Sequence, residues 1–187
     1  MSSTAVFPIG HGAGPLVHAD QPAHHVVRIG RTAEQLTEGE FGLWVLAHRG
    51  PRTAAELVDA GHSEQEVDGL VRRGVLASVA DPTAFAESYR LVPLFLGLGN
   101  SPDELEQFAI GVPGLEPLAR VGPAAFELWQ RGWVAPSLWA HCEVLATIGE
   151  QEAGQQGRPE AHVGFVLELL PALLSGFVAF LDPVAES

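Results

Sequence analysis

The residues of this chain best equipped for chemistry are its histidines and its single cysteine. His11, His18, His24 and His25, with Asp20 among them, lie in GHGAGPLVHADQPAHH. Neutral imidazoles and a carboxylate are zinc ligands, yet these spacings match no compact site, and the Gly- and Pro-rich surroundings read as a flexible tail. Further on, His141-Cys142-Glu143 sets a thiol beside an imidazole. Adjacent residues on a helix point about 100° apart, so the two cannot act on each other as nucleophile and base, and Cys142 reads as buried and structural. GHGAG at Gly10 to Gly14 and GLGNS at Gly97 to Ser101 do not meet the GxGxxG fingerprint and read as turns. No catalytic residue, metal or cofactor is expected.

Composition narrows the chemistry further. All ten basic residues are arginine, which excludes a GxxxxGK[ST] phosphate loop, a pyridoxal Schiff base and a Ser-x-x-Lys acylase, since each needs a lysine. At 187 residues and 47% hydrophobic content, the chain can fill the core of one ordinary domain or two small ones. One cysteine cannot close an internal disulfide, and MSSTAVFPIGHG has no basic segment followed by an apolar run, so the expected location is the cytoplasm. The apolar stretch 163–181 is nineteen residues long, enough for a bilayer, but Glu160 and Asp182 flank it where Lys or Arg would anchor a span, and no membrane is expected.

Any function must be positioned by short helices and strands. Three helix starts are written alike, Thr37 with Glu40, Thr53 with Glu56 and Ser63 with Glu66. Each is a capping box, in which the hydroxyl takes an orphan N–H and the Glu reaches back to the cap. The periodicity predicts a helix over 38–49 with Phe41, Trp44, Val45 and His48 on one face. It predicts a second over 54–60 burying Leu57 and Val58, and a third over 64–73 with Val67, Leu70 and Val71 inward and Gly74 as its cap. Strands are expected at 15–19 and 24–30 before these helices and at 75–80 after them, where Asp81-Pro82 closes the unit.

The order then recurs. Segments 89–98 and 107–112 are strand-like, PLARVGPAAFELWQRG matches QLTEGEFGLWVLAHRG so that Phe126 and Trp129 stand opposite Phe41 and Trp44, and a second helix follows Pro136. A third helix over 161–174, in which Pro171 is a misfit, and a strand over 177–181 complete the match. It aligns Gly74 with Gly176 and Asp81-Pro82 with Asp182-Pro183. Residues 149–160 read as a mobile loop. Trp44, Trp129 and Trp139, with Phe41 and Phe126, are expected in the core, and Trp133, past a helix end, at the surface. The predicted fold is α+β: two tandem winged-helix-like units, each a β-hairpin, three helices and a wing strand, with internal duplication. Its parts are a flexible segment 1–14, a first unit 15–84 and a second unit 85–187.

The first unit resembles the PqqD-like peptide-recognition domains, known as RiPP recognition elements. The resemblance is carried by VVRIG, QLTEGEFGLW, TAAEL and VDGLVRRGVL between Val26 and Leu76. It implies that a leader peptide adds as a strand beside the third helix, with Glu34 and Leu36 on the strand near Glu34 to Thr37, and Val67, Leu70 and Val71 on the helix, bordering the groove. In size, charge and architecture the chain is also similar to the kleisin-partner subunits of chromosome-condensing complexes. DNA is the other partner that this architecture takes. However, Glu64, Glu66 and Asp68 stand in the leading turns of the third helix where phosphates would lie, and the net charge is −13. A homodimer would gather Arg49, Arg52, Arg72 and Arg73 on one surface as nucleic-acid contacts. The expectation is a non-enzymatic module binding a protein or peptide, favoured if basic, with a transcriptional regulator as the alternative.

Overall fold

The computed structural model describes residues 4–19, 21–50, 52–153 and 157–185, apart from the side chains of residues 18, 21, 22, 52 and 149–153. Among them the chain is a mixed α+β structure with seven helices and several small sheets. It divides into two compact units, Met1–Ala80 with Leu181–Ser187, and Asp81–Phe180.

Unit 1 runs β1 (Ala5–Pro8), β2 (His11–His18), β3 (Gln21–Ile29), β4 (Thr32–Leu36), α1 (Glu38–His48), β5 (Arg52–Thr53), α2 (Ala54–Asp59), α3 (Glu64–Arg72) and β6 (Leu76–Ser78). The three capping boxes close as read, the Glu carboxylate accepting the cap N–H at 2.8 Å for Thr37, 2.7 Å for Thr53 and 2.8 Å for Ser63. Within the segment expected to be flexible, 1–14, the described residues form β1 and the start of β2. Strand β1 pairs antiparallel with both β5 and β6, and Val6, Phe7 and Ile9 are buried. Such a short, largely buried strand has no alternation of apolar and polar residues to announce it. The other sheet has the order β2-β3-β4.

Unit 2 runs α4 (Pro82–Ser88), β7 (Tyr89–Pro93), β8 (Leu96–Ser101), β9 (Glu104–Gly111), β10 (Ala119–Val121), α5 (Pro123–Arg131), α6 (Leu138–Ala153), α7 (Glu160–Leu174) and β11 (Ala179–Pro183), whose first two residues count with this unit. Its sheets are β10-β9-β8 and β11-β7. Apart from α4, which the sequence does not announce, and β5, which has no counterpart here, the order repeats that of unit 1: one strand, a three-stranded sheet, three helices, one strand. Helix α6 extends into the stretch expected to be a loop, and Gly157 lies so close to the Ala146 backbone that no Cβ fits there. Pro171 sits inside α7, and among the described residues no helix is long and apolar enough to cross a membrane.

The repeated Phe-x-Leu-Trp is a stack of rings. In unit 1 His25 of β3 lies on Phe41 with centroids 3.9 Å apart, and Phe41 on Trp44 at 5.6 Å. In unit 2 Phe108 of β9 takes the place of His25, 4.7 Å from Phe126, which stacks on Trp129 at 5.6 Å. Leu43 and Leu128, between the rings, are buried on the other face of each helix. Both indoles are buried and donate to a carbonyl, Trp44 to Ile9 at 3.0 Å and Trp129 to Val178 at 2.9 Å, satisfying the one polar atom each carries inward. A glycine makes room for each stack, Gly12 beside Trp44 and Gly97 beside Phe126 and Trp129.

The ends of the units match in geometry but not in the register that sequence alignment gives. Gly74, at φ +71°, ends α3 with bonds Gly74 N–H to Val71 O and Val75 N–H to Leu70 O. The same pair of bonds ends α7 at Phe177, at φ +51°, so Phe177 and not Gly176 stands opposite Gly74. The two Asp-Pro pairs also differ. Asp81 caps α4, accepting from Thr83 and Ala84, whereas Asp182 is buried and accepts from Gly30 N–H at 2.7 Å.

Candidate functional site

Strand β4 is an edge of its sheet, so half of its backbone groups face away from β3. Arg73, the C-cap of α3, reaches that edge. Its Nη2 donates to Gln35 O at 2.6 Å, its Nε to Glu34 Oε2 at 3.0 Å and its Nη1 to Glu40 Oε1 at 2.7 Å. In an antiparallel ladder the N–H and C=O of one residue point to the same side. The bond to Gln35 O therefore marks Gln35, and Ala33 two residues back, as the positions whose backbone faces outward. Glu40 serves two structures at once, since its other oxygen closes the capping box of α1 with Thr37 N–H. The guanidinium and both carboxylates are a third exposed or less, at 33%, 31% and 25%. Charge-assisted bonds in such a network outweigh those of an isolated surface pair.

In unit 2 the corresponding gap is closed by the helix itself. Gly176, one residue before the left-handed Phe177 as Arg73 is before Gly74, packs against β10 so that a Cβ there would lie 2.9 Å from Ala119 Cβ. Where unit 1 spans the space with a long side chain, unit 2 has no space to span.

Of the residues expected to border a groove, Leu36, Val67 and Leu70 are 0%, 2% and 0% exposed and belong to the core. Their burial leaves Glu34 and the half-buried Val71 at the surface. Val67 lines a cavity of about 280 Å³ with Val58 of α2, Glu64 and Asp68 of α3, and Ser78 of β6. The sequence marks the inward face of α3 but not which neighbour that face meets. Of the arginines expected at nucleic acid, Arg49 and Arg72 are exposed, Arg73 is held by two carboxylates, and the side chain of Arg52 lies outside the described residues. At the other end of α3, bonds from the Ser63 backbone and hydroxyl hold the Glu66 carboxyl below its ordinary range, so that end is negative.

The histidine-rich segment forms the β2-β3 hairpin, in which His11 pairs with Arg28, Leu16 with His24 and His18 with Gln21. Asp20 lies outside the described residues. His25 donates Nε2–H to Glu38 Oε2 at 2.8 Å as well as stacking on Phe41. Among the described residues no three His, Cys, Asp or Glu side chains converge as a metal site would require. Burial pushes the Cys142 thiol up to about 11, which keeps it protonated and unreactive. Its neighbour His141 is 2% exposed with Nδ1 unpartnered, and burial, followed by the Arg131 charge, lowers its pKa to about 4. Trp133 is exposed, and Trp139 donates to Glu143 at 3.1 Å.

No family model, curated protein or solved structure matches this chain.

Proposed function

We propose that the chain is a non-enzymatic, cytoplasmic accessory protein of two winged-helix-like units, and that unit 1 takes an extended peptide as an added strand along β4. The observation that carries this reading is the open edge of β4 with Arg73 held across it. An incoming strand pairs with the outward N–H and C=O of Ala33 and the N–H of Gln35, and main-chain bonds of this kind supply affinity for many sequences. Selectivity comes from charge. A lysine or arginine on the peptide takes the place of Arg73 between Glu34 and Glu40, so the site prefers a basic partner. An added strand beside the third helix is also what the resemblance of Val26 to Leu76 to peptide-recognition elements implies. The protonated, buried Cys142 supports the absence of thiol catalysis.

The test is to pan a random peptide library with the full chain and to titrate the selected peptides against Gln35→Pro. Proline removes an outward N–H while sparing the bonds to β3, and edge strands tolerate it. Affinity should fall about tenfold or more, equivalent to roughly 1.4 kcal/mol, with the thermal midpoint nearly unchanged. Equal affinity for Gln35→Pro would overturn the added-strand reading. Retention of duplex DNA at low salt, lost on changing Arg49 and Arg72 to Ala, would put the regulator reading in its place.

A further inference from the structure

Unit 2 exposes large apolar side chains that cluster at one end of its three-stranded sheet. Phe95, Leu96, Val112, Leu115, Leu118 and Phe177 are each between 40% and 68% exposed. The backbone ties them together. Leu96 pairs with Gly111, Leu118 N–H bonds to Ile110 O, and Leu115 N–H closes a turn on Val112 O. Leu94 N–H bonds to Val178 O at 2.8 Å, which brings the next residue on one strand, Phe95, opposite the preceding residue on the other, Phe177.

Both phenylalanines have left-handed backbones, Phe95 at φ +65° and Phe177 at φ +51°, and among the described residues they are the only non-glycines that do. Unit 1 has glycine at both equivalent positions, Gly10 at φ +89° and Gly74 at φ +71°. A side chain in that conformation is strained. Each ring is more than 40% exposed. At Phe95 an exposed ring holds a conformation that glycine adopts freely, and it stands in a run of exposed apolar side chains of the kind that marks an interaction site.

We propose that this apolar end of unit 2 is a docking surface for a segment of another protein that is apolar and flanked by Lys or Arg. The charge of the unit selects that occupant. Asp81–Phe180 carries twelve carboxylates against four arginines, and Glu116 lies among the exposed apolar residues. A second copy, bringing its own net charge of −13, and an anionic membrane are both repelled, whereas a basic flank is drawn in. This surface is independent of the β4 edge in unit 1.

The experiment uses the full chain and three synthetic peptides of equal length: an amphipathic Leu/Lys peptide, the same peptide with Glu for Lys, and the same with Ser for Leu. The Leu/Lys peptide should bind, and the other two should bind about tenfold more weakly or worse. In the double variant Phe95→Gly with Phe177→Gly, affinity for the Leu/Lys peptide should fall about tenfold while the thermal midpoint holds or rises, since glycine adopts these angles freely. A lower midpoint with unchanged affinity would show the rings to be structural and overturn the proposal. Equal binding of the Glu peptide would overturn the basic occupant. A dimer in sedimentation that dissociates in the double variant, or retention on anionic vesicles lost in that variant, would assign the surface to a second copy or to a membrane instead.

Discussion

At the scale of single residues, protonation and folding compete at two histidines. His48 is 2% exposed, donates Nδ1–H to Trp44 O at 2.9 Å, and has its pKa lowered by burial to about 4. His141 is lowered to a similar value, again first by burial. A folded-state pKa below the unfolded value of about 6.5 means that the unfolded chain binds the proton more tightly. Both histidines therefore contribute stability that is complete above pH 6.5 and is lost as pH falls towards 4, by at most roughly 3 kcal/mol each. Denaturant unfolding followed from pH 7 to pH 4 should show that loss, and His48→Leu should lessen its slope. A parallel decline in wild type and variant would remove His48 from the account. Val67 makes a second residue-scale prediction. Val67 is 2% exposed in the wild type, so Val67→Arg loses buried apolar contact and must turn its guanidinium into the cavity beside Glu64 and Asp68; it should lower the thermal midpoint by an amount equivalent to about 1–3 kcal/mol, and an unchanged midpoint would show that the cavity takes the charge freely.

At the scale of elements, the ring stacks explain why two helices share Phe-x-Leu-Trp, and the glycines beside them give a graded test. A Cβ on Gly97 would lie 2.9 Å from Phe126 Cζ, whereas one on Gly12 would lie 3.4 Å from Trp44. Gly97→Ala should cost about 1–3 kcal/mol by overpacking, and Gly12→Ala clearly less. Equal thermal shifts in the two variants would mean that the strand gives way freely in unit 2. The helices themselves were legible in advance. A capping box is a code written within four residues, and α1, α2 and α3 begin where Thr37, Thr53 and Ser63 say they do. Strand β1 and helix α4 were not legible, because a four-residue buried strand and a seven-residue helix carry too little periodicity. The end of α7 misled for a different reason. Alignment prefers glycine under glycine, but the bonds to Leu173 and Leu174 put a phenylalanine in the left-handed position.

At the scale of the whole molecule, the chain does not finish where unit 2 does, since Leu181–Ser187 count with unit 1. Leu181 is fully buried and accepts from Gly10 N–H at 2.7 Å, and Asp182 accepts from Gly30 N–H. Asp182→Ala strands a backbone donor and should cost about 2 kcal/mol. Removing 181–187 should go further and raise hydrogen exchange in β1 and β3 above the rate in α5. If exchange in β1 stayed as slow as in the intact chain, these last residues would be dispensable to unit 1.

What the sequence by itself determined was local: the capped helices, the aromatic pairs, the lysine-free acidic composition and the chemistries these exclude. Each is encoded by residue type or by spacings of a few positions, and local physics reads such codes directly. Only the tertiary structure decided that Leu36, Val67 and Leu70 are core, that His25 and Phe108 complete the stacks, and that Arg73 spans the edge of β4. Arg73 meets Glu34 and Glu40 across 39 and 33 positions of chain, and nothing in either segment alone says that they will lie together. Long-range pairings of this kind follow from how the helices and sheets pack.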